Sequence, residues 1–356
     1  MSNPKVLIFA PADPTGETHR WLEEAGCELV LGQASWKTPL GDNESDMCAM
    51  AKDADALLGT SIRSTPISGR IMASAPNLRI VAKASIGVDD VDVDAATKQG
   101  VLVIYSPVES SWGGVAENTM AIILVFMKRM RERDEAMKRC EWRVPALQGV
   151  YLGRREDGYP GITIGLVGFG RTARRLVDLL APWRVRILAY DPYVEPSRFI
   201  LSNVKRVDLP TLLKESDIVS LHVALTEETR GMIGTREIDL MKKTAILINT
   251  SRGKVIKENE LIQALQDDKI AGAGLDVFDD EPPAPDSPLT RLGHKVLLAP
   301  HMSSANWGSG LQSDGVRNAT RTVLTALRGE VPDYVFNREV IPRWQARFGG
   351  HSLLKK

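Results

Sequence analysis

Twice along the chain, short apolar runs alternate with stretches of helical spacing, and that alternation limits what this sequence can form. Runs rich in Val, Ile, Leu and Ala suit strands covered on both faces. In the first hundred residues the predicted strands are Val6–Ala10, Ala56–Gly59, Ile80–Ala84 and Val101–Ile104. The helices between them are Thr18–Ala25, Asp46–Lys52, Ser68–Ala75 and Val93–Gln99. A second series has predicted strands at Thr163–Val167, Val185–Tyr190, Ile218–His222, Ala245–Asn249, Gly272–Asp276 and Val296–Ala299. Strands alternating with helices predict parallel βαβ units and an α/β chain. Six such strands are enough for a doubly wound dinucleotide-binding sheet.

Between the two series, Ala116 to about Arg139 reads as one long helix, apolar at Met120, Ile123, Leu124 and Met127 and charged toward its end. It either bridges two domains, packs on a partner subunit, or is half-buried packing. Residues Trp142–Pro160 read as a surface excursion, and a helix around Gly310–Arg328 returns the chain. The remaining tail, with Arg343, Trp344, Arg347 and His351, reads as a mobile basic terminus or a subunit-exchange arm. If the second series is an insert, residues 1–108 and 306–356 form one domain and 109–305 the other.

At 356 residues the chain is long enough for two domains. Its 45 Lys and Arg balance 45 Asp and Glu, so no global charge draws it to nucleic acid or an anionic membrane. The three cysteines, Cys27, Cys48 and Cys140, lie far apart and read as free thiols of a reducing compartment, with no metal site among them. No stretch approaches the roughly 20 apolar residues of a membrane span. The expectation is a cytoplasmic protein.

Two features point to chemistry. Gly168-Phe-Gly170-Arg171-Thr172-Ala173 lies between a predicted strand and a predicted helix, where glycines let the backbone approach a pyrophosphate at a helix N-terminus. Asp191 ends the next apolar run, where a carboxylate accepts from a ribose diol and repels a 2′-phosphate, so the expected cofactor is NAD. Three ionisable residues also come just after strand ends in the second series: Arg252, Glu281 and His301. The C-terminal ends of parallel strands face the ligand crevice, so the three can converge. Taken singly, each has a plainer reading: a surface arginine, a loop glutamate, a packed histidine.

These segments resemble the D-isomer-specific 2-hydroxyacid dehydrogenase family, whose members include phosphoglycerate, glycerate and glyoxylate/hydroxypyruvate-type enzymes. The resemblance runs from about Val6 to about Asn337. Besides the glycine turn it includes Ser85-Ile-Gly87-Val-Asp89, Val115-Ala-Glu117, Ser220-Leu-His222-Val, Asn249-Thr-Ser-Arg-Gly253 and Pro300-His301. It implies two Rossmann-like βαβ domains, a flavodoxin-like substrate domain and an NAD-binding one, with the active site in the cleft between them. It further implies a hydride exchanged between nicotinamide and the α-carbon of a small 2-oxo or 2-hydroxy acid.

On that resemblance His301 is the acid/base, since an imidazole can give or take a proton near neutrality and so serve either direction. Glu281 holds the imidazole, and Arg252 pairs with the substrate carboxylate. Ser85, Ile86 and Gly87 bind the same carboxylate through backbone N–H groups, and Arg63 matches a substrate-facing arginine of some relatives. Arg171 and Thr172 go to the pyrophosphate, and His222, Thr229, Thr250 and Asp276 to the adenine, ribose and nicotinamide surroundings. A homodimer through the cofactor domain is implied as well. The stretch Pro107–Glu117 is one residue longer than the family pattern and carries Trp112-Gly113-Gly114, which leaves the substrate's identity open. The competing expectation is a corepressor-like NAD(H) sensor on the same scaffold.

Overall fold

The computed structural model describes residues 3–11, 13–33, 42–60, 65–304 and 314–355. Arg63 lies outside them, as do the first residues expected of the Gly310–Arg328 helix. The chain divides into two compact units, Met1–Ser111 with Asn306–Lys356, and Trp112–Ala305. Each is a parallel α/β sheet, in agreement with the expected fold class.

In the first unit, β1 (Lys5–Ala10), β2 (Glu28–Leu31), β3 (Ala56–Gly59), β4 (Ile80–Lys83) and β5 (Leu102–Ile104) pair in the order β2-β1-β3-β4-β5. Every pairing is parallel. Alternate side chains point to opposite faces of a strand. Accordingly Leu7, Phe9, Leu57, Val81 and Val103 join one apolar cluster, and Val6, Ile8, Leu58, Ile80 and Leu102 join the other. Strand β2 was not expected from the sequence; it is an edge strand whose four residues are all partly or fully exposed.

The tail corrects another expectation. A helix over Ile341–Phe348 packs Trp344, fully buried, into the second of these clusters. The indole Nε1 donates to the Arg79 carbonyl at 2.8 Å. Arg79, 4% exposed, donates through Nη1 to the His351 carbonyl at 2.8 Å and lies 4.9 Å from the Phe348 ring centre. A buried guanidinium needs such acceptors. The tail is thus not a mobile basic terminus; within the chain it closes the core of its own unit.

In the second unit, β6 (Thr163–Val167), β7 (Arg186–Tyr190), β8 (Lys205–Arg206), β9 (Ile218–Leu221), β10 (Ile246–Asn249), β11 (Gly272–Leu275) and β12 (Val296–Leu298) pair in the order β12-β11-β10-β9-β6-β7-β8. The six expected strands are present, extended by the two-residue β8. From β6 the chain first builds outward through β7 and β8, then returns to build through β9 on the other side. That reversal places a crevice beyond the end of β6, where open parallel sheets bind ligands.

The single long helix expected over Ala116–Arg139 is two helices, Glu109–Met127 and Met130–Lys138. Between them Arg129 takes a left-handed φ of 51°. The break has a tertiary cause. Val150 N–H donates to the Met127 carbonyl at 2.8 Å, and Gly149 lies so close that a Cβ there would sit 2.9 Å from Lys128 Cα. The first helix begins early enough to take in Trp112-Gly113-Gly114, with both glycines buried. Among the described residues no helix is long and apolar enough to cross a membrane.

Candidate active site

The glycine turn comes directly after β6. Gly168 has φ 91°, and a Cβ there would lie 2.6 Å from the His222 carbonyl oxygen, so only glycine fits against the end of β9. A Cβ on Gly170 would meet nothing within 4 Å, which leaves an open approach at the N-terminus of the helix Arg171–Leu180. Arg171 and Thr172 are its first two residues, and the buried Ala173 takes the third small position, against the sheet. The N–H groups and the positive dipole end that a helix N-terminus presents suit a pyrophosphate there.

Asp191 stands where the ribose reader was expected, but it also builds the turn. Its Oδ2 accepts the Phe169 N–H at 2.8 Å, and its Oδ1 accepts those of Tyr193 at 2.9 Å and Val194 at 3.2 Å. A carboxylate has about four lone-pair sites, so capacity remains for a diol. Thr229 is engaged within its own loop, its hydroxyl donating to the Ala224 carbonyl at 2.6 Å. Tyr193 in turn hydrogen-bonds Glu228, so the segments after β7 and β9 are joined on either side of the turn.

His222 N–H donates to the Val167 carbonyl at 2.7 Å, and its ring Nε2 lies 3.0 Å from Ser220 Oγ. Although the residue keeps some exposure, burial of the ring pushes its pKa down to about 4 from 6.5. It is neutral at physiological pH, which suits a lining residue and not a proton donor. Between about pH 6.5 and 4 the unfolded chain takes up a proton that the folded chain refuses, so acidification through that window destabilises the fold. We expect the melting temperature of a His222→Asn variant to fall less over that window than the wild type's; parallel curves would contradict the assignment.

Beyond the ends of β10, β11 and β12 the three ionisable residues share one unit. The Asn249 side chain shapes the first segment: its Oδ1 accepts from Ser251 N–H at 3.0 Å and its Nδ2 donates to the Arg252 carbonyl at 2.9 Å. Thr250 is buried, its hydroxyl 3.0 Å from that of Thr119. Gly253 then presses on the next segment, where a Cβ would sit 1.9 Å from the Phe278 carbonyl oxygen. The Arg252 and Glu281 segments are therefore packed backbone to backbone.

The structure brings Glu281 and His301 into contact. Imidazole Nδ1 lies 3.0 Å from Oε1 and 2.9 Å from Oε2 of Glu281. His301 itself has a left-handed φ of 52°, uncommon for a residue with a side chain. Asp276 holds the next two residues, its carboxylate oxygens accepting the N–H groups of Met302 at 2.9 Å and Ser303 at 3.1 Å. Asp276, 1% exposed, thus supports the histidine's segment, a role not read from the sequence. Asn118 was missed entirely; its side-chain amide donates to Ser303 Oγ. Nothing local marks Asn118, whereas Gly253 already stands in the Asn249-Thr-Ser-Arg-Gly253 motif of the sequence. Among the described residues there is no group of acidic, His and Cys side chains that could hold a metal ion.

In the first unit Ser85, Ile86 and Gly87 form the turn after β4. Ser85 Oγ donates to the Gly87 carbonyl at 3.1 Å, and Ile86 is exposed. Among the described residues the N–H groups of Ile86 and Gly87 donate to no protein acceptor.

Comparison with known proteins agrees with this geometry. Residues 120–303 match the family model for the D-isomer specific 2-hydroxyacid dehydrogenase, NAD binding domain. The chain is 39% identical over 310 residues to a glyoxylate reductase of Korarchaeum cryptofilum, covering 86% of this chain and 90% of the relative. It is 34% identical to a D-3-phosphoglycerate dehydrogenase of Methanocaldococcus jannaschii, covering 95% of this chain but 60% of that longer protein. Among solved structures, D-lactate dehydrogenase from Aquifex aeolicus complexed with NAD and lactic acid superposes with a TM-score of 0.77 at 27% identity, covering 95% of this chain and 98% of that one.

Proposed function

Because the chain belongs to the D-isomer-specific 2-hydroxyacid dehydrogenase family and is NAD-dependent, we propose that it interconverts a small 2-oxo acid and its 2-hydroxy acid, of the glyoxylate, hydroxypyruvate, glycerate or phosphoglycerate type. The observation that carries this reading is the His301–Glu281 contact. With both carboxylate oxygens on Nδ1, proton exchange with the substrate oxygen falls to Nε2. NAD, when bound, supplies or takes the hydride at its nicotinamide. The protein's own residues do the rest. Arg252 pairs with the substrate carboxylate and draws charge toward the carbonyl, a charge-assisted contact worth roughly 1.5–3 kcal/mol. The N–H groups of the Ser85–Gly87 turn, with Arg63, hold the same carboxylate, which makes the first unit the substrate unit. Gly168, Gly170, Arg171 and Thr172 cradle the pyrophosphate, with Asp191 on the ribose and His222, Thr229, Thr250 and Asp276 lining the remainder.

A panel of 2-oxo acids with NADH, followed by loss of NADH absorbance, tests the proposal. Turnover of at least one two- or three-carbon acid is expected. Failure of every acid while NADH binds tightly would favour the alternative, an NAD(H)-sensing binding protein on the same scaffold.

Asp191 sets the cofactor preference in this reading. Asp191→Asn keeps one acceptor oxygen and removes the charge, so kcat/KM with NAD should fall by roughly 10- to 150-fold, the range of one charge-assisted hydrogen bond. The NADP-to-NAD ratio of kcat/KM should rise; an unchanged ratio would show that Asp191 does not read the ribose. The same reading makes the protein a homodimer, as the family resemblance implies; Met130, Met137, Trp142 and Tyr151 of the second unit are each exposed.

A further inference from the structure

The first unit contains a buried charge that the chemistry above does not use. Lys83, the last residue of β4, has a fully buried side chain. Its Nζ lies 2.6 Å from Asp90 Oδ2, donates to the Thr60 carbonyl at 2.9 Å, and sits 5.5 Å from the centre of the Phe9 ring. Asp90 is 15% exposed.

Position in the chain gives these contacts their meaning. Lys83 and Asp90 bracket the turn that contains Ser85, Ile86 and Gly87, so their ion pair closes its base. Thr60 comes directly after β3 and opens the next segment. One ammonium therefore ties together the starts of two neighbouring loops. Backbone bonds along the same line reinforce the tie: Ala84 N–H donates to the Gly59 carbonyl at 2.8 Å, and Ser106 N–H to the Ser85 carbonyl at 3.0 Å. Ser106 Oγ also donates to the Lys83 carbonyl at 2.8 Å.

Stability is a poor explanation for such a pair. Taking two charges out of water is costly, and well-packed apolar replacements are often as stable or more so. A bond that fixes geometry is a better one. We propose that Lys83 and Asp90 are positioning residues for substrate recognition, locking the Ser85–Gly87 turn so that the N–H groups of Ile86 and Gly87 stay aimed at the substrate carboxylate. The inference rests on the reading that this turn binds the acid.

Four variants of the full-length enzyme test it: Lys83→Met, Asp90→Asn, the double variant of both, and Lys83→Arg. Each is assayed for the KM of the best 2-oxo acid, kcat, the Kd of NADH and the melting temperature. Removing one partner strands a buried charge, so each of the first two loses stability. Their KM should rise by roughly 10- to 100-fold, the scale on which a misplacement of about 1 Å acts, while the Kd of NADH changes less than about twofold. The double variant removes both charges and should regain melting temperature, yet its KM should stay high. Lys83→Arg, which keeps the positive charge and its donors, should raise KM less than Lys83→Met does.

A purely structural role predicts otherwise. If KM in the double variant returns to wild type together with the melting temperature, or if KM is unchanged in every variant, the inference is overturned. A wild-type enzyme that turns over no 2-oxo acid would instead take down the functional reading itself, and this inference with it.

Discussion

Replacing His301 lowers kcat by roughly 10²–10⁴-fold while NADH still binds, the usual cost of losing a general acid/base. Asn is the sharper substitution. His301 holds a left-handed φ of 52°, and Asn tolerates that region better than Ala. His301→Asn therefore keeps the backbone, and with it the Met302 and Ser303 contacts to Asp276, while removing the proton-carrying ring. Glu281→Gln separates support from chemistry. The amide can still accept from Nδ1 through one oxygen, but the charge is gone, so a smaller loss of roughly 10- to 150-fold is expected. Steady-state rates and NADH fluorescence titrations check both. A His301→Asn enzyme retaining a third or more of wild-type kcat would remove the imidazole from the reaction.

Gly253→Ala lowers kcat/KM by roughly 10²-fold or more although it changes no ionisable group. The added Cβ would sit 1.9 Å from the Phe278 carbonyl oxygen and 2.0 Å from its carbon, where real Cβ contacts essentially never fall below 3.0 Å. The obstacle is backbone, not a flexible side chain, so the Arg252 and Glu281 segments must separate by about an ångström. A displacement on that scale is enough to cost about 10²-fold in a site that depends on geometry. The glycine turn at Gly168 lies elsewhere, so NADH affinity should change much less than turnover. Activity within about threefold of wild type would mean that the packing of these two segments does not set the site.

Legibility in the sequence depends on where the determining contacts lie. Strands such as β6 and β9 are short, apolar and fully buried, so their pattern alone identifies them. Strands β2 and β8 lack that signal, because an edge strand is exposed and β8 is only Lys205-Arg206. The break after Met127 is invisible locally because it is imposed by Gly149 and Val150, which lie more than twenty residues downstream. Charge misleads in the tail, although Trp344 and Phe348 stand one helical turn apart on one face, a spacing that announces a docking helix. In the candidate site, the short segments around Arg252, Glu281 and His301 carry their own signal. The residues that support them, Asp276 beneath His301 and Asn118 against Ser303, act through distant contacts. So does the double duty of Asp191, which holds the glycine turn besides standing at the ribose position.

Arg252, the Glu281-supported His301 and the nicotinamide ring are expected to meet around one substrate carbon. A crystal structure of the full chain with NADH and oxamate, an amide analogue that cannot accept a hydride, tests this directly. The expected result is the oxamate carboxylate on Arg252, its carbonyl oxygen about 3 Å from His301 Nε2, and the nicotinamide C4 roughly 3–3.5 Å from the carbon that hydride would attack. Oxamate bound away from Arg252 and His301, with NADH seated at the Gly168 turn, would contradict it.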